Sequence, residues 1–178
     1  TVEHGTLLDD EAIDMLARED VTLVPTLSAP HHIVRNVDAA TEEDRTQTEA
    51  VYERHLDSFR RAVEAGVRVA GGTDAGTPFN MHGSNAAELR LMHEHAPGAM
   101  SPLEAVVAMT ETAAEAVGLD DQGTLDPGTH ADLLVVDADP TDDLTALDDP
   151  GVVIKGGRVA AGEDERTRRA IVDARDDA

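Results

Sequence analysis

Val67-Arg68-Val69-Ala70-Gly71-Gly72-Thr73-Asp74-Ala75-Gly76 sets a short β-branched run against a cluster of glycines. Val67 and Val69 predict a buried strand, and the glycines predict that its C-terminal end opens into a tight loop with Asp74 at the rim. In a β/α barrel that rim is where catalytic residues stand. A carboxylate there, between glycines that let backbone and ligand approach closely, suits a metal ligand or a proton acceptor. The same aspartate also suits a helix N-cap or a turn. The flanking sequence has to decide.

Upstream, the chain alternates short apolar runs with helical periodicity. Asp9 or Asp10 caps a helix carrying Ala12, Ile13, Leu16 and Ala17 up to Glu19 or Asp20. Val21, Leu23 and Val24 form the next strand. Pro25 and Pro30 then open a loop holding His31, His32 and Asn36. A long helix starts near Thr41, followed by three acids that suit the positive end of its dipole, and runs through Leu56, Phe59 and Ala62 to a stop at Gly66. Downstream of Asp74, residues 77–84 form a loop and residues 85–94 a helix with Ala86, Leu89 and Met92 on one face. Ser101-Pro102-Leu103-Glu104 places a cap, an N1 proline and an N3 acid at the start of a helix reaching Gly118. Strand and helix in alternation predict parallel α/β units.

After Gly118 the texture changes. Leu133-Leu134-Val135-Val136, Val152-Val153-Ile154 and Arg158-Val159 after Gly156-Gly157 predict strands with hairpin chemistry and no helix between them. The expected organisation is therefore an α/β unit over residues 1–118, a small β lobe over 119–162, and an Arg-rich acidic surface tail over 163–178.

The composition narrows the function. The 178 residues contain no cysteine, so any metal must be held by histidine, carboxylates or modified lysine. Acids outnumber bases 37 to 14, a net charge of −23, and Lys155 is the sole lysine. No basic patch could follow a phosphate backbone, which argues against nucleic-acid binding. No apolar run is long enough to span a membrane and no signal-peptide pattern opens the chain, so a cytoplasmic protein is the default expectation. An acidic surface nearly free of lysine suits a high-salt cytoplasm, where screening tolerates self-repulsion. The opening Thr1-Val2-Glu3-His4-Gly5 reads as the last residues of a strand, and hence as the C-terminal part of a longer protein.

Together these pieces resemble the C-terminal portion of the metal-dependent amidohydrolase superfamily, in its imidazolonepropionase- and prolidase-like branch. Glu3-His4-Gly5 looks like the end of that family's sixth barrel strand, and Ala65-Gly66-Val67 through Gly76 like its eighth. His82-Gly83, Asn85 and Glu88-Leu89 are similar to the segment that follows. Gly123-Thr124-Leu125-Asp126-Pro127-Gly128, Ala131-Asp132-Leu133 and Gly157-Arg158-Val159 resemble the small β-sandwich that closes these enzymes. The resemblance implies a partial (β/α)8 barrel, its last three units, followed by a β-sandwich lobe. It implies His4 as a ligand of the more solvent-facing metal. It also implies Asp74 as a ligand of the other metal and the group that takes a proton from the bridging water. The cofactor implied is one or two divalent ions, zinc by family habit, and the reaction is hydrolysis of a C–N bond in an amide, cyclic amide or dipeptide.

The departures matter as much. The family's first-strand His-x-His pair, fourth-strand lysine and fifth-strand histidine would all precede Thr1. The chain alone is therefore expected to be inactive, with His4 frayed near the chain start, and to associate with itself or with a complementary N-terminal half. His93-Glu94-His95 has the letters of a metal pair, but on a helix i and i+2 diverge, so they read as polar helix-end residues. His31 and His32 read as exposed loop residues and His55 as a mid-helix structural hydrogen bond. His82 stands between substrate binding and loop packing. The competing class is a non-catalytic remnant that serves as an acidic interaction module.

Overall fold

Two very short strands, β1 (Val2–Glu3) and β2 (Leu23–Val24), pair in parallel with Val2 opposite Leu23. Residues 67–70 join them on the far side of β2. Leu23 N–H donates to Arg68 O at 2.8 Å, Ala70 N–H donates to Leu23 O at 3.0 Å, and Leu23 bridges Val69 in parallel. The three segments lie side by side in chain order, with helices between and after them. Those helices are α1 (Asp10–Arg18), α2 (Ser28–Arg35), α3 (Glu42–Glu64), α4 (Ala86–His95), α5 (Pro102–Met109) and α6 (Glu111–Ala116). The chain is thus α/β, as its rhythm predicts. This computed structural model describes residues 1–36 and 42–162; the expected Thr41 cap and the 163–178 tail lie outside the described residues. Among the described residues no helix is long and apolar enough to cross a membrane.

The helix starts follow local chemistry. The Asp9 carboxylate accepts from Ala12 N–H at 2.9 Å and caps α1, whose Ile13 and Leu16 are buried. Ser101 and Glu104 form a reciprocal capping box at α5, with Pro102 in the first turn. The buried faces of the strands and helices meet in two clusters. Leu23 and Val67 pack with Ile13, Leu16 and Ala62. Phe59 and Val69 pack with Leu89, Met92 and Ala105. The opposite face of the strands, carrying Glu3, Val24 and Gly72, opens onto a groove of about 600 Å³ that Met109, Ala113 and Val117 also line.

Three elements differ from expectation. The presumed loop with His31 and His32 is helix α2. No local side chain caps it; the acceptor comes from Glu88 on α4, and Pro30 falls in the first turn, where its missing N–H costs nothing. The helix expected from Ser101 to Gly118 is broken at Thr110, with φ −117° and ψ −87°. Ala108 O, which a continuous helix would pair with residue 112, instead accepts from Gly71 N–H at 2.7 Å.

Between β3 (Leu133–Val135) and β4 (Val152–Lys155) a 3-10 turn, Leu144–Leu147, replaces the helix-free connection expected there. It forms because Leu144, only 5% exposed, plugs into the α4–α5 core. β4 continues into β5 (Arg158–Ala161) through Gly156 and Gly157, at φ +55° and +73°. Two successive positive φ values are what a tight type I′ hairpin requires, and glycine supplies them without strain. β3, β4 and β5 form an antiparallel sheet in that order.

Gly71 is required by close approach. A Cβ there would lie 2.7 Å from Met109 Sδ and 2.9 Å from Met109 Cα. Gly71→Ala is therefore expected to destabilise the chain by about 1–3 kcal/mol through overpacking against α5 backbone. Chemical denaturation measures this, and a change below about 0.5 kcal/mol would show that α5 yields freely.

Candidate active site

Each parallel strand ends in a non-glycine residue forced into the left-handed region: His4 at φ +66°, Thr26 at +51° and Asp74 at +51°. Such backbone costs on the order of 1–3 kcal/mol per residue and is tolerated only when neighbours hold it. Here they do. His4 N–H donates to Val24 O at 2.8 Å, and His55 Nε2 on α3 donates to His4 O at 2.8 Å. His4 is anchored, contrary to the fraying expected from its position. Thr26 Oγ1 donates to Pro25 O at 2.7 Å and contacts His4 Nδ1. The loop carrying Asp74 is clamped at Thr73 O, which accepts from Asn80 Nδ2 at 2.6 Å and Ser28 Oγ at 3.2 Å.

His4 and Asp74 line one cleft of about 280 Å³, with Thr6, Tyr52, His55 and Thr77 among its other walls. Both side chains are solvent-exposed. His82 is elsewhere: its Nε2 sits over Gly76, 3.4 Å from where a Cβ would stand, and it is not part of that wall. An imidazole nitrogen and a carboxylate are donors that a divalent cation accepts. The donor set fits such an ion in type but falls short in number. No group of three or more His, Cys, Asp or Glu suited to a metal occurs among the described residues.

The helical wall of the cleft carries Ala29, Pro30, Ile33, Val51, Tyr52 and His55, and an aromatic cluster stands around Tyr52. His31 Nδ1 lies 2.9 Å from Tyr52 OH, and the Tyr52 ring meets His31 and His95 edge-on at 5.9 and 6.5 Å. Burial, reinforced by the Glu88 charge, pushes the Tyr52 phenol up to about 12, so it keeps its proton. Burial also lowers His31, His55 and His95 below the usual imidazole value of 6.5. Glu88 is fully buried; its two oxygens accept from Leu27 N–H at 2.8 Å and Ser28 N–H at 2.7 Å. His31 and His32 are half-buried on α2, not exposed in a loop. His93, at the end of α4, pairs Nδ1 with Met100 O at 2.8 Å.

The depressed histidines set a sign for pH dependence. The unfolded chain takes up protons from about 6.5 downward while the folded chain resists, so their stabilisation is present above that value and is lost as pH falls through the lowered folded values. Acidification from about pH 7.5 to about pH 5.5 is expected to lower the melting temperature, and less so in His55→Gln, which keeps a donor for His4 O. Equal losses in both proteins would rule His55 out as a contributor.

Thr26 and Tyr52 carried no recognisable signal beyond composition, a threonine after proline at a strand end and the sole tyrosine, and Glu88 stood only within the family resemblance, with no role assigned. Their roles depend on partners 21 to 61 residues away in sequence.

Among curated proteins, the chain is 29% identical over 168 residues to ochratoxinase of Aspergillus niger, covering 91% of this chain and 34% of that protein. It is 33% identical over 143 residues to imidazolonepropionase of Salinispora tropica, covering 78% and 30%. A crystal structure of a putative prolidase from Bifidobacterium longum superposes with a TM-score of 0.80 at 34% identity, over 97% of this chain and 45% of that one. The chain thus spans about a third of the length of these curated relatives. The amidohydrolase family matches residues 1–159, across both the parallel strands and the C-terminal sheet, and the chain belongs to that family.

Proposed function

We propose that the chain supplies the C-terminal part of a metal-dependent amidohydrolase acting on C–N bonds of amides, cyclic amides or dipeptides. The observation that carries this reading is the convergence of His4 and Asp74 on one cleft at the C-terminal ends of parallel strands. In this reading residues 1–118 are the last three units of a (β/α)8 barrel and the β3–β5 sheet belongs to a β-sandwich lobe. The prolidase and imidazolonepropionase likenesses favour small amide substrates over polymers.

In this reading His4 would help hold the more solvent-facing divalent ion and Asp74 the other, zinc by family habit. Such an ion, when bound, polarises a carbonyl and brings the pKa of water toward neutrality. Asp74 then has a proton to move: its carboxylate accepts one from the attacking water and returns it to the departing nitrogen. Its carrying loop, clamped at Thr73 O, keeps that carboxylate at the strand end. His82 guards the loop that follows and would meet substrate only from outside the cleft wall. Tyr52 and His55 on α3 line the cleft as well, and Thr77 stands beside Asp74, donating its hydroxyl to Asp74 O at 3.0 Å.

Two ligands are one short of the three protein ligands a catalytic site ordinarily has. The chain by itself is therefore expected to show no turnover of a dipeptide panel with added Zn²⁺ or Mn²⁺. An added polypeptide bearing the upstream barrel strands is expected to restore turnover by supplying the missing ligands while it covers the groove lined by Glu3, Val24 and Gly72. Steady-state hydrolysis assays decide both. Robust turnover by the chain alone overturns the need for a complement, and none with it overturns the enzyme reading.

A further inference from the structure

We propose that Thr26 is a positioning residue that fixes His4 as its Nδ1–H tautomer, leaving the Nε2 lone pair free for a cation. A hydroxyl has one proton to give, and that of Thr26 goes to Pro25 O at 2.7 Å. Toward His4 Nδ1 the Thr26 oxygen can therefore only accept, so Nδ1 carries the hydrogen. A neutral imidazole has a single N–H, and the lone pair is then on Nε2. The backbone contacts fix the rest. With Val24 O taking the His4 N–H and His55 Nε2 holding the His4 carbonyl, the ring has a fixed origin as well as a fixed tautomer.

The strain at Thr26 points the same way. A β-branched residue at φ +51° that is only 4% exposed is an outlier, and nothing in a plain turn requires it. What the conformation achieves is a hydroxyl placed between Pro25 O and the His4 ring. This role rests on the reading of His4 as a ligand given above.

The test uses the full 178-residue chain, metal-free, near pH 8, with the His4 ring nitrogens followed by ¹⁵N NMR. The wild type is expected to show a proton on Nδ1 and a pyridine-type Nε2. Thr26→Ser keeps that pattern. Thr26→Val, the same shape without the hydroxyl, loses it and moves proton population to Nε2. A wild-type His4 with its proton on Nε2, or a Thr26→Val chain with the pattern intact, overturns the proposal; the first needs no variant to fold.

Zinc titration is the second arm. Thr26→Val is expected to weaken binding by about 10–100-fold, as removal of a histidine's supporting partner usually does, with Thr26→Ser close to wild type. Unchanged affinity in Thr26→Val overturns the positioning role. Affinity unchanged by His4→Ala overturns the ligand reading instead, even where the tautomer is Nδ1–H, so the two failures are told apart.

Discussion

Replacing Asp74 by asparagine is expected to lower kcat/KM of the complemented enzyme by at least about 10³-fold, because under the proposed function one substitution removes both an anionic ligand and the group that moves the proton. Asparagine is the informative replacement. It shares aspartate's tolerance of the left-handed region, so the strand end at φ +51° keeps its shape. Stability should change by less than about 0.5 kcal/mol, since the side chain is exposed and its loop is held through Thr73 O and Asn80. Asp74→Ala adds a backbone cost of about 1 kcal/mol, because alanine visits this region unwillingly. Loss of rate without loss of stability would separate chemistry from folding. A variant within tenfold of wild type would sink the proton-transfer role of Asp74.

The residues that fix the parallel strands were readable because their signals are local. Val67 and Val69 before paired glycines, Asp9 before an amphipathic run, and Ser101 with Glu104 each carry their cause within a few positions. The two glycines of the β4–β5 hairpin were legible for the same reason. Helix α2 was not. Its apolar content is modest, two prolines crowd its start, and its capping acceptor arrives from Glu88 some 60 residues on. The break at Thr110 was equally hidden, because the competing donor is Gly71 N–H on another element. At the site, the resemblance singled out His4 and Asp74, and the structure sets them on one cleft. It gave no hint of Thr26, whose part depends on which way one hydroxyl proton points.

Removing the Glu88 carboxylate is the change expected to cost the most stability. Its oxygens are the partners of two buried N–H groups, Leu27 and Ser28, at the start of α2, where no local side chain caps the helix. Leaving both unpaired costs roughly 1–3 kcal/mol each, so Glu88→Ala should lose about 2–6 kcal/mol of a total that for domains of this size is about 5–15. Glu88→Gln retains one acceptor oxygen and turns an NH₂ toward the other donor, and should fall between. The pH dependence has a definite sign. Burial holds the Glu88 carboxyl above its usual 4.5, so its ionisation costs more in the folded than in the unfolded chain. The stabilisation it gives is complete below 4.5 and is lost as pH rises through the raised folded value, so the gap between wild type and Glu88→Ala should be widest in acid. Urea unfolding of the three proteins at several pH values measures both effects. The consequence reaches the cleft, because Leu27 and Ser28 follow Thr26 directly: loosening α2 also frees the hydroxyl that contacts His4. Losses below about 1 kcal/mol in both variants would mean that water reaches these N–H groups and that some other contact holds the end of β2.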